Sequence, residues 1–128
     1  MQKVLTLASA VCLIAFASFR PAAGLDEVIA ALKAGNASEL SKYLDDNVEI
    51  SLPDKTDSYS KAQSMMILRD FFSTTGVRNF QLKHKGDNSG NQFCIGTLQT
   101  RSGSYRTTVF MKVKNGRQVV KQLIFQSL

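Results

Sequence analysis

The side chains able to do chemistry in this sequence are few and scattered. His84 is the only histidine. It alternates with Phe80 and Leu82, which puts it on their side of a strand and makes it a candidate pocket base. Lys83 and Lys85 flank it, and no acid beside it in sequence would fix its tautomer. Asp70 lies on a helical pattern with Phe71 and Phe72 and is the one carboxylate placed to enter a pocket from a helix. Tyr43, Tyr59 and Tyr105 are amphipathic donors of the kind that line pockets or cores. Together such groups would suit proton abstraction next to a carbonyl, where a base works with a donor that stabilises the enolate. The acids do not support that chemistry well. All ten lie at or before Asp87, so the strands that follow offer no carboxylate. Glu49 alternates away from Val48, Ile50 and Leu52 and should face solvent, while Asp45 and Asp46 read as a helix end. The pocket candidates are therefore His84, Tyr43, Tyr105 and Asp70, and no residue is assigned as catalytic.

Metal and cofactor chemistry have even less to work with. Beyond the N-terminal apolar run there is one cysteine, Cys94, inside the strand-like run Phe93-Cys94-Ile95-Gly96, where a thiol behaves as a small hydrophobe. One His and one Cys fall short of the three or four protein ligands zinc requires, so no metal site is expected. There is no Gly-rich phosphate loop, no Ser-His-Asp set and no nucleotide fingerprint, hence no expected cofactor.

Charge is the informative departure from an ordinary domain. Residues 25–76 hold five basic side chains against nine acidic, a net of −4; residues 77–128 hold nine against one, a net of +8. Strand alternation puts Arg106, Lys112 and Lys114 on one side with Thr108 and Phe110, a basic stripe that would attract anions in a salt-dependent way. The stripe lacks the interleaved aromatics of a single-strand binder, and nucleic acid is not expected as a partner. An anionic envelope component, whether glycan, lipid head group or acidic protein, fits better.

The N-terminus supplies an address. Lys3 precedes an apolar run from Val4 to Phe19, broken only by Thr6, Ser9 and Ser18, and Ala22-Ala23-Gly24 offers small residues for a peptidase. The run falls short of the ~20 residues needed to span a bilayer. Residues 1–24 are read as a signal peptide, which implies export to the periplasm or beyond, and residues 25–128 as one domain. With 44% hydrophobic and 20% charged residues the chain is globular, and core packing has to stabilise it without disulfides.

The elements that would position these groups change period once. Leu25, Val28, Ile29 and Leu32 form an amphipathic helical stripe closed by Gly35. Asn36 and Glu39 have capping-box spacing for a short helix carrying Leu40, Tyr43 and Leu44. Val48 to Leu52 alternates as a strand, and Pro53-Asp54 opens a polar loop. Ser60 and Gln63 cap a longer helix through Met65, Met66, Leu68, Phe71 and Phe72 to Gly76. From there strands take over: one around Phe80 to Lys85, a loop over residues 86–91, then Gln92 to Arg101, Tyr105 to Lys114 and Arg117 to Gln126. Asn115-Gly116 is a strong hairpin signal. The expected class is α+β, with about three N-terminal helices packed on a curved, mostly antiparallel sheet.

This order resembles the nuclear transport factor 2-like, or ketosteroid isomerase-like, superfamily, whose members wrap a bent sheet around helices to leave a cone-shaped pocket. Leu25-Asp26-Glu27-Val28-Ile29 with Gly35-Asn36-Ala37, then Phe93-Cys94-Ile95-Gly96-Thr97-Leu98 and Tyr105-Arg106-Thr107, is similar to the family filed as domain of unknown function 4783, found in small exported bacterial proteins. The resemblance implies the fold and the export, and brings no functional residue. Relatives in the superfamily often dimerise through the outer sheet face, which makes Phe110 a candidate for a homodimer interface. Whether Met65, Phe71 and Phe72 fill the cone is open at this point. The expected function is an exported non-catalytic binding or interaction module for a small molecule or anionic partner. The alternatives are a small isomerase or dehydratase using His84 or Asp70 with a tyrosine, and an envelope-associated structural or dimerisation module.

Overall fold

The apolar stripe at positions 25, 28, 29 and 32 forms the first element of the computed structural model, which describes residues 24–128. The expected signal peptide and Cys12 lie outside the described residues, Gly24 excepted. Helix α1 (Leu25–Ala34) buries that stripe and stops at Gly35, whose φ of 61° permits the left-handed closing turn. Asn36 then caps α2 (Ala37–Ser41) by accepting the Glu39 amide at 3.0 Å. The sequence pattern carries this helix on to Leu44, but it ends at Ser41. The Val120 amide donates to the Tyr43 carbonyl at 2.7 Å and draws the chain into the sheet. Leu44 thus opens strand β1 (Leu44–Leu52).

The stretch after Pro53, expected as a polar loop, is strand β2 (Lys55–Ser60). Its residues are mostly exposed because it is a sheet edge paired only to β1, so no hydrophobic alternation marks it. Ser60 and Gln63 form the expected capping box at the start of α3 (Lys61–Thr75), which ends at Gly76 with φ 73°. Strands β3 (Val77–Asn88), β4 (Asn91–Thr100), β5 (Gly103–Lys114) and β6 (Arg117–Ser127) follow as a meander. The loop expected over residues 86–91 is only the pair Ser89-Gly90, and like Asn115-Gly116 both its residues have positive φ, as a type I′ turn requires.

The sheet order is β2-β1-β6-β5-β4-β3, antiparallel except where β1 runs parallel to β6. The fold is thus the expected α+β arrangement of helices on a curved sheet. On the helix-covered face, Val48, Ile50, Phe80, Cys94, Leu98, Val109, Leu123 and Phe125 join Leu32, Leu40, Leu68 and Phe72 in one buried cluster. Phe71 packs its ring 4.9 Å from Phe125 and edge-on to Tyr105 at 5.3 Å, and Phe72 meets Phe125 at 6.3 Å. Rings therefore occupy the space beneath α3. Met65 does not share it; its sulfur instead accepts a bond from the Arg69 guanidinium at the surface. Gly96 lets the sheet close on this core, since a Cβ there would sit 2.5 Å from the Phe80 ring and from the Gln81 carbonyl oxygen.

Candidate functional site

Each central strand carries an apolar triplet: Phe93-Cys94-Ile95 in β4, Val109-Phe110-Met111 in β5 and Leu123-Ile124-Phe125 in β6. Alternation sends Cys94, Val109, Met111, Leu123 and Phe125 into the core, where all are at most 1% exposed. The same alternation sends Phe93, Ile95, Phe110 and Ile124 to the other face, which no helix among the described residues covers, and leaves them half-buried. Register builds them into two rows across the sheet. One runs Gly86, Phe93, Phe110, Gln122, Glu49; the next runs His84, Ile95, Thr108, Ile124, Ser51. The Phe93 and Phe110 rings lie 6.4 Å apart, and the Phe93 ring also covers Gly86, where a Cβ would meet it at 2.9 Å. A third row of Gln81, Thr97, Arg106 and Gln126 gives the apolar centre a polar border.

His84 belongs to this outer face, contrary to the side expected for it. A bulge at Lys83 shifts the register between Leu82 and His84, so Leu82 pairs with Gly96 on the core face and His84 pairs with Ile95 on the other. The imidazole is exposed and sits 5.6 Å from the Phe93 ring. Strict alternation cannot reveal such a bulge. The other pocket candidates are not gathered around it. Tyr105 meets Phe71 edge-on on the core side, and Tyr43 is half-buried in the connection from α2 to β1. Asp70 is exposed on α3, where it lines a groove of about 360 Å³ with Tyr59, Phe71 and Leu52. Among the described residues, then, no histidine–carboxylate pair is assembled.

The basic stripe is also altered by its surroundings. Asp45 and Asp46, expected at a helix end, lie in β1, at an irregular register between Leu44 and Glu49, within reach of two lysine side chains of β5. Asp45 has only 8% of its side chain exposed and receives Lys114 at 2.7 Å and Lys112 at 2.9 Å; Lys114 also reaches Asp46 at 2.9 Å. These bonds, Lys114 first, hold the Asp45 carboxyl far below the usual carboxylate range against the opposing effect of burial. Asp45 in turn raises the Lys114 ammonium. Lys112 and Lys114 are thus committed within the fold, and Arg106 is the exposed member of the stripe, with no ion pair among the described residues. Cys94 is fully buried, and burial pushes its thiol up to about 12, as expected for a packing role. No group of three His, Cys, Asp or Glu side chains among the described residues is arranged to hold a metal.

The sequence reading singled out Phe110 but not Phe93, Ile95 or Ile124. The signal was available: a continuous apolar triplet in a strand marks burial on both faces, whereas alternation marks one.

The family described as Domain of unknown function (DUF4783) matches residues 25–126. The crystal structure of a DUF4783 family protein from Bacteroides uniformis is 31% identical, with a TM-score of 0.78 over 80% of this chain and 95% of that one. A DUF4783 family protein from Bacteroides ovatus gives 29% identity and a TM-score of 0.79 over 81% and 94%. A nuclear transport factor 2-like protein from Cytophaga hutchinsonii shares 11% identity with a TM-score of 0.60 over 80% and 91%, a likeness of fold alone. No protein with a curated description matches the chain.

Proposed function

The chain belongs to the DUF4783 family and carries a nuclear transport factor 2-like fold, and on that premise we propose that it is an exported, non-catalytic interaction module whose outer sheet face docks on a second copy of itself. The observation that carries the reading is the uncovered patch of Phe93, Ile95, Phe110 and Ile124 bordered by Arg106, Gln81, Gln122 and Glu49. An apolar centre within a polar border is the usual anatomy of a stable interface. A face of this kind left in water would be an aggregation liability. The Lys112–Asp45–Lys114 cluster lies at one end of β5, where charges already offset one another need no partner. Arg106 and the other cations of residues 77–128 leave the assembled module attractive to anionic envelope components. Export is supported by Lys3 and the apolar run 4–19 ahead of α1. The binding-module reading is favoured over an isomerase because His84 stands on the sheet face opposite Tyr105.

Native mass spectrometry of residues 25–128 at about 10 μM tests this, a concentration at which an interface of standard size is normally populated. The expected species has twice the mass of the chain. A single chain throughout would overturn the reading.

A further inference from the structure

On the flank of α3 turned away from the outer sheet face, Leu52, Asp54, Lys55 and Tyr59 of the β1–β2 hairpin face Met66, Ile67, Asp70 and Phe71 across a groove of about 360 Å³. That is the size range of small-molecule sites. Leu52, Tyr59, Ile67 and Phe71 give it apolar and aromatic walls, with Thr74 and Thr75 beside them, and Met66, 63% exposed, is an adaptable side chain at its edge. Its rim carries two carboxylates, Asp54 and Asp70, against the single ammonium of Lys55, and among the described residues neither carboxylate is in an ion pair. Behind the rim, the Tyr59 hydroxyl is buried and has no hydrogen-bond partner among the described residues. Such an orphan group costs about 1–3 kcal/mol and is uncommon in a native fold unless something else satisfies it.

We propose that this groove binds a small organic ammonium: an apolar body of roughly eight carbons carrying one positive charge. The body lies against Leu52, Ile67 and Phe71, and the charge sits between Asp70 and Asp54. An ammonium over the Tyr59 and Phe71 rings gains cation–π attraction. Its N–H groups are donors that the orphan Tyr59 oxygen can accept once a small side-chain motion opens it to the groove. An anionic amphiphile is disfavoured by the net charge of the rim, and a neutral one leaves both carboxylates unmatched.

The test uses residues 25–128 with octylammonium, octanol and octanoate as probes at matched ionic strength, followed by amide chemical shifts. Octylammonium should move signals of residues 52–59 and 66–75 in a saturable way and bind at least tenfold tighter than octanol or octanoate. Asp70→Asn, at an exposed position, should weaken octylammonium about three- to tenfold and octanol hardly at all. Tyr59→Phe should weaken it several-fold while raising the thermal midpoint, because the buried orphan hydroxyl is gone. Phe110→Asp should leave the affinity unchanged, which separates this site from the outer face. Equal or tighter binding of octanoate, shifts scattered over the surface, or no saturable binding of octylammonium would each overturn the proposal.

Discussion

The two faces of the sheet are built from the same kind of residue and meet different fates. Toward the helices, Cys94, Val109, Met111, Leu123 and Phe125 are closed into the core and are at most 1% exposed. Away from them, Phe93, Ile95, Phe110 and Ile124 come from the same triplets, one residue out of phase, and remain half-exposed. Chain composition cannot separate these sets, since only cover distinguishes them. The inner set stabilises the monomer, at roughly 1.5–3 kcal/mol for each large side chain removed from water. On the proposed reading, the outer set keeps that free energy in reserve for association.

A matched truncation on the two faces gives the largest expected difference. Phe125→Ala should destabilise the monomer by about 3–5 kcal/mol in urea unfolding, through lost burial and the cavity left among Phe71, Phe72 and Leu123. Phe110→Ala, monitored at a concentration low enough to keep the chain monomeric, should cost less than about 1 kcal/mol, as for a half-exposed position. Equal losses would mean that the two faces are energetically alike.

A smaller effect is expected at the buried charge cluster at the end of β5. Asp45→Asn leaves Lys112 and Lys114 without their shared acceptor and should cost about 2 kcal/mol near neutral pH, the scale of a charged hydrogen bond. Because the carboxyl is depressed in the folded state, its contribution is fully present above its unfolded value, about 4, and is lost as pH falls through the lower native value. The gap between wild type and variant should therefore narrow below about pH 4. The raised Lys114 acts at the other end, contributing below its ordinary value and losing that contribution only at strongly alkaline pH. For the same reason Lys112→Glu is a poor probe of partner binding, since it places an acid against buried Asp45.

The smallest perturbation is chemical. With the Cys94 thiol pushed up to about 12, the thiolate fraction at pH 8 is on the order of 10⁻⁴. A disulfide reagent should label Cys94 only as fast as the chain opens. Rapid stoichiometric labelling of native protein would show that the inner face is not closed.

Much of the fold is legible in the sequence because local chemistry agrees with it. The 25–28–29–32 stripe, the Asn36 and Ser60 caps and the Asn115-Gly116 turn each act within a few residues. What escapes depends on distant partners. Strand β2 is polar on nearly every residue and exists because β1 offers it a ladder. The Asp45 pairing needs a strand some seventy residues away. His84 changes face through one extra residue, Lys83, that alternation cannot see. Of the pocket candidates, Asp70 does line a concavity, but its companions there, Tyr59 and Leu52, come from a hairpin that the sequence does not announce.

The claim that the outer face exists to be covered is tested most directly by sedimentation equilibrium of residues 25–128 beside the Phe110→Asp variant over about 1–100 μM. A charge at the centre of a desolvated patch costs several kcal/mol on association and little in a free monomer. The account predicts a dimer for the wild type and a monomer with an unchanged circular dichroism spectrum for the variant. A wild type that stays monomeric across the range, or a variant that dimerises as well as the wild type, would contradict it.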